Sequence, residues 1–201
     1  MAGSRFVGHI KLWFFFVPLL SLALLPAAPD PSLFVIPDAE TASVASSLGE
    51  ARAADVVVAT NRVFKRYFVE TGMVQASMAS TGSSQIADGG VADFANRWVH
   101  NFWRLVYRMA YRLIVMKYWL LGVVVFGIAM FIDGSVRRKV RAAAAGFVSP
   151  LSFHLAAHGI LLVFGMTFTV LIAPVPIIAP YLIIVAACLG LLLWKVASSY
   201  Q

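Results

Sequence analysis

Apolar residues run almost unbroken through four stretches of this chain and recur at helical intervals in two others. The clearest run is Leu113 to Ile132, where Lys117 is the one charge. Its length matches the ~20 residues a helix needs to cross a ~30 Å hydrocarbon core. Ile160–Ala173 and Tyr181–Trp194 are slightly short, and flanking small residues from Leu155 and up to Ser198 bring both to spanning length. Between them, "PVPIIAP" carries Pro174, Pro176 and Pro180, which withhold backbone donors and resist helix. These two runs should therefore form a tight antiparallel hairpin. The remaining run, "LWFFFVPLLSLALLPAA", covers Leu12 to Ala28. It resembles a secretory signal, but "LLPAAPDPS" offers only a proline-ridden cleavage site, which favours a retained anchor.

Between the first and second runs the pattern turns amphipathic. Pro29, Pro31 and Pro37 predict an extended start, after which Asp38 is placed to cap a helix with Glu40 favoured by its dipole. From Ala39 to about Val74 the chain is helix-permissive, broken at Gly49 and Gly72, with an apolar stripe at Val56, Val63, Tyr67 and Val74. "ASTGSSQIADGG", 79–90, reads as a flexible linker. No Gly or Pro interrupts Val91 to Leu121, and at 100° per residue Arg97, Asn101, Arg104, Arg108 and Arg112 form one narrow stripe. Trp98, Phe102, Val106, Met109 and Leu113 lie opposite. Like charges stacked at i and i+4 repel, so this stripe calls for anions beside it, either lipid phosphates or a partner's carboxylates. A straight helix from Val91 to Ile132 would be ~63 Å long at ~1.5 Å per residue, about twice the hydrocarbon thickness. About half of it must leave the bilayer, with Tyr107, Tyr111, Tyr118 and Trp119 as interfacial aromatics.

Composition agrees with this reading. With 61% hydrophobic and 12% charged residues over 201 positions, the chain is too apolar for an ordinary soluble domain. The net charge of +7 does not imply nucleic-acid binding, because the cations flank hydrophobic runs instead of forming one patch. Arg137, Arg138, Lys139 and Arg141 would each cost ~2.5–3.5 kcal/mol at the bilayer centre, which assigns them to the loop between spans two and three. Short basic loops stay cytoplasmic, and Arg5 and Lys11 obey the same rule across three crossings. Both termini are then cytoplasmic and the arm faces outward. The arginines ending the arm argue against that orientation, but loops longer than ~60 residues follow the rule weakly.

The expected architecture is an all-α integral membrane protein with four transmembrane helices and a helical arm between the first and second. Residues 1–28 form the anchor, 29–112 the periplasmic arm ending in the basic amphipathic helix, and 113–198 a three-helix region with a basic cytoplasmic loop at 133–154.

Candidate chemistry is sparse. His154 and His158 share a helix face as two metal ligands must, but no Cys lies nearby and Asp133 is the only acidic residue beyond position 93. Ser149 and Pro150 fit an N-cap and first turn. Asp133 and Arg137, four apart, should pair at the end of span two. No ionisable residue lies deep in spans one, three or four, which disfavours a pump or a proton-coupled transporter. The single Cys188, inside an apolar run, rules out an intramolecular disulfide. No phosphate loop, serine elbow or zinc-protease motif is present, so neither enzymatic activity nor a cofactor is expected.

"RLVYRMAYRL" entering a span, followed by "IDGSVRRKVRAAAAGFVSPLSFHLAAH" and a closing hairpin, resembles the uncharacterised membrane proteins of integrating conjugative elements, with residues 104–158 carrying most of the likeness. That family is encoded among type IV secretion genes near the coupling ATPase. The resemblance implies an accessory inner-membrane component of conjugative transfer, acting as a scaffold or docking protein, and it assigns no residue a role. The candidate docking residues, for lipid, for the coupling ATPase or for other channel subunits, are Arg97, Arg104, Arg108, Arg112, Arg137, Arg138, Lys139 and Arg141. Direct nucleic-acid binding is not expected, and an oligomer is compatible with the pattern. The rival reading is an exclusion or immunity protein that acts in the recipient cell and uses the arm from Ala39 to Arg112.

Overall fold

A computed structural model describes residues 5–81, 90–144, 146 and 150–200. The described residues are helical or irregular, with no strand among them. Four helices are long and apolar enough to cross a membrane: Val7–Ala27, Val91–Ala143, Pro150–Ile172 and Ala179–Ser199. The chain forms two compact units. One comprises Met1–Phe16, Lys117–Phe168 and Ala179–Gln201; the other comprises Val17–Met116 and Thr169–Ile178.

The first apolar helix is built from α1 (Arg5–Lys11), a π-helical turn over Leu12–Phe16, α2 (Val17–Leu24) and a 3-10 turn at Leu25–Ala27. The segment predicted to be extended contains a second 3-10 turn, Pro31–Phe34, because the Asp30 carboxylate accepts a hydrogen bond from the Ser32 amide at 2.9 Å. Helix α3 is Asp38–Leu48, and its N-cap is Pro37, one residue earlier than expected; Asp38 makes no capping bond. The Pro37 carbonyl accepts from the amides of Glu40 and Thr41, so the first turn closes without a side-chain cap.

Gly49, at φ 86°, ends α3 and starts α4 (Glu50–Phe64), a left-handed backbone that a side chain would strain. Gly72 likewise precedes α5, Met73–Thr81. Between α4 and α5 lies a π-helical turn, Lys65–Val69, closed by the Glu70 amide donating to the Lys65 carbonyl at 2.8 Å. The extra residue in that turn rotates the apolar stripe by one position. Tyr67, expected on the stripe, is exposed, and Phe68 takes its place beside Phe64. Of the expected linker, 79–81 finish α5 and 82–89 lie outside the described residues.

Helix α6, Val91–Ala143, is continuous over 53 residues, or about 80 Å at ~1.5 Å per residue. It therefore carries Arg137, Arg138, Lys139 and Arg141 on its last two turns, and the expected loop at 133–154 is helical up to Ala143. Nothing in 133–143 breaks a helix except Gly134, which is tolerated at a close helix contact. Ser149, the expected cap, lies outside the described residues; α7 is Pro150–Ile172 and α8 is Ala179–Ser199.

In the first unit, contacts advance together along α1 and α7: His9 meets His158, Trp13 meets Gly165, and Phe14 meets Phe168. They also advance together along α6 and α8, from Phe126 against Gly190 to Arg138 over Tyr200. Along α7 and α8 they run oppositely, Phe153 with Tyr200 and Gly159 with Leu192. The first and third apolar helices thus point one way and the second and fourth the other. Gly134 sets the α6–α8 spacing, since a Cβ there would collide with the Trp194 carbonyl and the Ala197 methyl. In the second unit the core is Phe34, Leu105 and Ile172, packed with Leu22, Leu25, Ala28 and Met109.

Candidate functional site

The arginine stripe of α6 divides in two. Arg97 and Arg104 are exposed, while Asn101, Arg108 and Arg112 are buried at 1%, 0% and 2% exposure. The anion predicted for this stripe is present in the same chain. Arg112 donates from Nε to Glu40 Oε1 and from Nη2 to Glu40 Oε2, both at 2.8 Å, the paired geometry that only a guanidinium offers a carboxylate. Arg108 Nη2 reaches Glu40 Oε2 at 3.4 Å. Arg108 and Arg112 are therefore not available as surface docking residues, which corrects that expectation. The stripe was expected to meet lipid phosphates or a partner's carboxylates, yet at Arg108 and Arg112 it turns inward onto acceptors of its own chain.

Those acceptors are chiefly backbone. The last carbonyls of a helix lack intrahelical partners. At the end of α7, Arg112 Nη1 donates to three of the local carbonyls: Val170 at 3.0 Å, Leu171 at 2.9 Å and Ala173 at 2.8 Å. In the proline-rich connector that follows, the Val175 carbonyl accepts from both Arg112 and Arg108. The connector's Ile177 amide donates to Glu40 Oε2 at 3.2 Å, and Arg108 Nη1 also holds the Leu33 carbonyl at 2.7 Å. Pro174 and Pro176 deny this connector a helical or strand ladder, so side chains supply its hydrogen bonds. Two turns before Arg108 on α6, Asn101 Nδ2 donates in the same way to the carbonyls of Pro26 and Ala28, at 3.1 and 3.2 Å.

Burial on its own would raise the Glu40 carboxyl. The hydrogen bond and charge of Arg112, the Ile177 amide and Arg108 outweigh that cost and hold it below its ordinary value of 4.5. The cluster is a clamp of two guanidiniums on one carboxylate, with a net positive charge. It positions backbone and holds no nucleophile.

Aromatic side chains occupy another face of α6, turned toward α4 and α5. Trp103 Nε1 donates to Ser77 Oγ at 2.8 Å, and Tyr107 Oη donates to Asn61 Oδ1 at 2.8 Å, while Phe64 meets both rings edge-on. Trp98, assigned by the sequence to the opposite face, donates to the Ala23 carbonyl at 3.0 Å.

The second candidate lies in the other unit, at the end of α6. Asp133 does not pair with Arg137; its Oδ2 accepts from Trp194 Nε1 at 2.6 Å. Arg137 instead lies over the Trp194 ring at 5.1 Å and Arg138 over Tyr200 at 5.6 Å. One tryptophan thus satisfies the aspartate with its edge and the arginine with its face. Lys139 is exposed, and the Arg141 carbonyl accepts from the Gly146 amide at 2.9 Å. At the start of α7, the His158 ring meets His9 edge-on at 5.5 Å, whereas the His154 ring meets Phe153. Among the described residues no three His, Cys, Asp or Glu side chains come together as metal ligands.

Fold and sites together define an all-helical protein with four membrane-length apolar helices, a basic helix end and an internally clamped arm. The family model described as "IncC plasmid conjugative DNA transfer protein DtrJ-like" matches residues 39–201, and the chain belongs to this DtrJ-like family. No curated protein and no solved structure matches it. The chain is thus a component of conjugative DNA transfer.

Proposed function

We propose that this protein is a multi-pass scaffold of the inner membrane, serving a conjugative type IV secretion apparatus and docking the coupling ATPase or another channel subunit through the basic end of α6. It performs no chemistry of its own. Family membership supports the conjugative role. The resemblance to proteins of integrating elements supports the placement beside the coupling ATPase. The observation that carries the docking role is the helix end itself: Arg137, Arg138, Lys139 and Arg141 lie within five residues, and Asp133, the nearest carboxylate in sequence, is committed to Trp194. Both termini and this helix end are cytoplasmic in this reading, in keeping with the retention of basic segments on that side. Arg97 and Arg104, exposed on the arm, form a separate external contact surface.

Replacing all four cations of the helix end with Gln tests the role. A cytoplasmic reporter at position 142 must still report the same side, and expression must be unchanged. Transfer from a donor carrying the variant should then fall at least tenfold; undiminished transfer would end the docking reading.

A further inference from the structure

Between α6, α7 and α8 of the first unit lies a groove of about 320 Å³ walled almost wholly by carbon, including Val124, Gly127, Phe131, Phe164, Gly190 and Leu193. Its volume falls at the lower end of the ~300–1,000 Å³ typical of ligand sites. Space exists there because Gly127 and Gly190 carry no side chain; a Cβ on Gly190 would collide with the Phe126 ring. The groove's far wall, Phe131 and Leu193, stops one residue short of Trp194 on α8 and two short of Asp133 on α6. Arg137 is seated over the Trp194 ring, and Arg138 over Tyr200, six residues further along the chain. Side chains on a helix lean toward its N-terminus, and Arg137 does lean from the end of α6 back toward the groove, whereas Arg138 meets Tyr200 just beyond the end of α8. A ring contact leaves a guanidinium's N–H donors unspent, and neither arginine makes a hydrogen bond or ion pair among the described residues.

We propose that this groove and the arginine pair form one site for an anionic phospholipid, with an acyl chain along Val124–Phe131 and Gly190–Leu193 and the phosphodiester on Arg137 and Arg138. The two halves match the two halves of such a molecule. A neutral lipid would satisfy only the groove, and an acidic protein segment only the arginines. Basic pockets at the ends of membrane helices are suited to this headgroup chemistry. The site rests on the membrane reading above but not on the docking role, and lipid binding is measured apart from DNA transfer. Its failure would therefore leave docking untouched.

The test uses the full chain in a non-ionic detergent, titrated with phosphatidylglycerol or phosphatidylcholine and observed by native mass spectrometry. The wild type should retain one phosphatidylglycerol with at least tenfold preference over phosphatidylcholine. Arg137→Gln with Arg138→Gln should abolish the preference, and Ala186→Phe, which fills the groove, should reduce retention of both lipids at least fivefold. Equal retention of the two lipids by the wild type, or no effect of either variant, would overturn the proposal. Should Ala186→Phe not fold by circular dichroism, a phosphatidylglycerol carrying a diazirine on its acyl chain decides with wild-type protein in vesicles. Adducts confined to 123–131, 164 and 186–193 sustain the site, and adducts spread evenly around α6 overturn it.

Discussion

Arg112 is the side chain on which the arm depends most, and Arg112→Gln is the sharpest perturbation of it. The substitution removes the paired bonds to Glu40 and the bonds to the Val170, Leu171, Ala173 and Val175 carbonyls. Glu40 then retains only the 3.4 Å contact with Arg108 and the Ile177 amide. Removing one member of a buried ion pair costs ~3–5 kcal/mol, because the survivor is left desolvated without compensation. At ~2–4 °C per kcal/mol for a chain of this size, the melting temperature in detergent should fall by roughly 10 °C. Arg112→Lys should recover little of this, since an ammonium cannot grip the carboxylate in parallel and reach the helix end as well. Glu40→Gln combined with Arg112→Gln should cost less than the sum of the two single changes, by ~0.5–3 kcal/mol of coupling. A shift below 2 °C for Arg112→Gln, or strict additivity in the double variant, would refute the clamp as the element that ties the α7–α8 connector to the arm.

Other outcomes follow from the same geometry. Glu40 is held below its ordinary value of 4.5, so its stabilising contribution is complete above that pH and is lost as pH falls through the depressed folded value. The stability gap between wild type and Glu40→Gln should accordingly narrow on acidification below about 4.5, as measured by thermal melts across pH. Arg97→Gln and Arg104→Gln, on exposed positions, should change stability by no more than ~0.5 kcal/mol in the same melts. Gly134→Leu should push α6 away from Trp194 and Ala197 at a cost of ~1–3 kcal/mol, detectable as a lowered melting temperature. Cys188, exposed on α8, is the sole cysteine; near the middle of a membrane-length helix it faces hydrocarbon, so in intact cells neither a permeant nor an impermeant maleimide should label it until denaturing detergent removes the bilayer.

Much of this molecule was legible as sequence because hydrocarbon-length apolar runs are a one-dimensional signal. The four helices, their alternation, the break at Gly49 and the proline-rich connector all follow from residue type and spacing, where local backbone chemistry decides. The need of the arginine stripe for an anion was legible too, since like charges at i and i+4 advertise a missing partner. Its source was not. Glu40 stands 68 and 72 residues from Arg108 and Arg112, and a carboxylate on a short helix looks like any first-turn acid until the chain brings it home.

Tertiary structure alone decided which way the polar face of α6 points. Periodicity groups side chains on a face but cannot say whether that face meets water or a set of unpaired carbonyls, and the exposed ends of α7 and its connector turned Arg108 and Arg112 inward. It also decided the phase of the arm's apolar stripe within the π-helical turn, where Phe68 replaces Tyr67, and the fate of Asp133, whose partner proved to be an indole from α8 instead of its neighbour on α6. In each case the deciding group lies far away in sequence, where spacing carries no information.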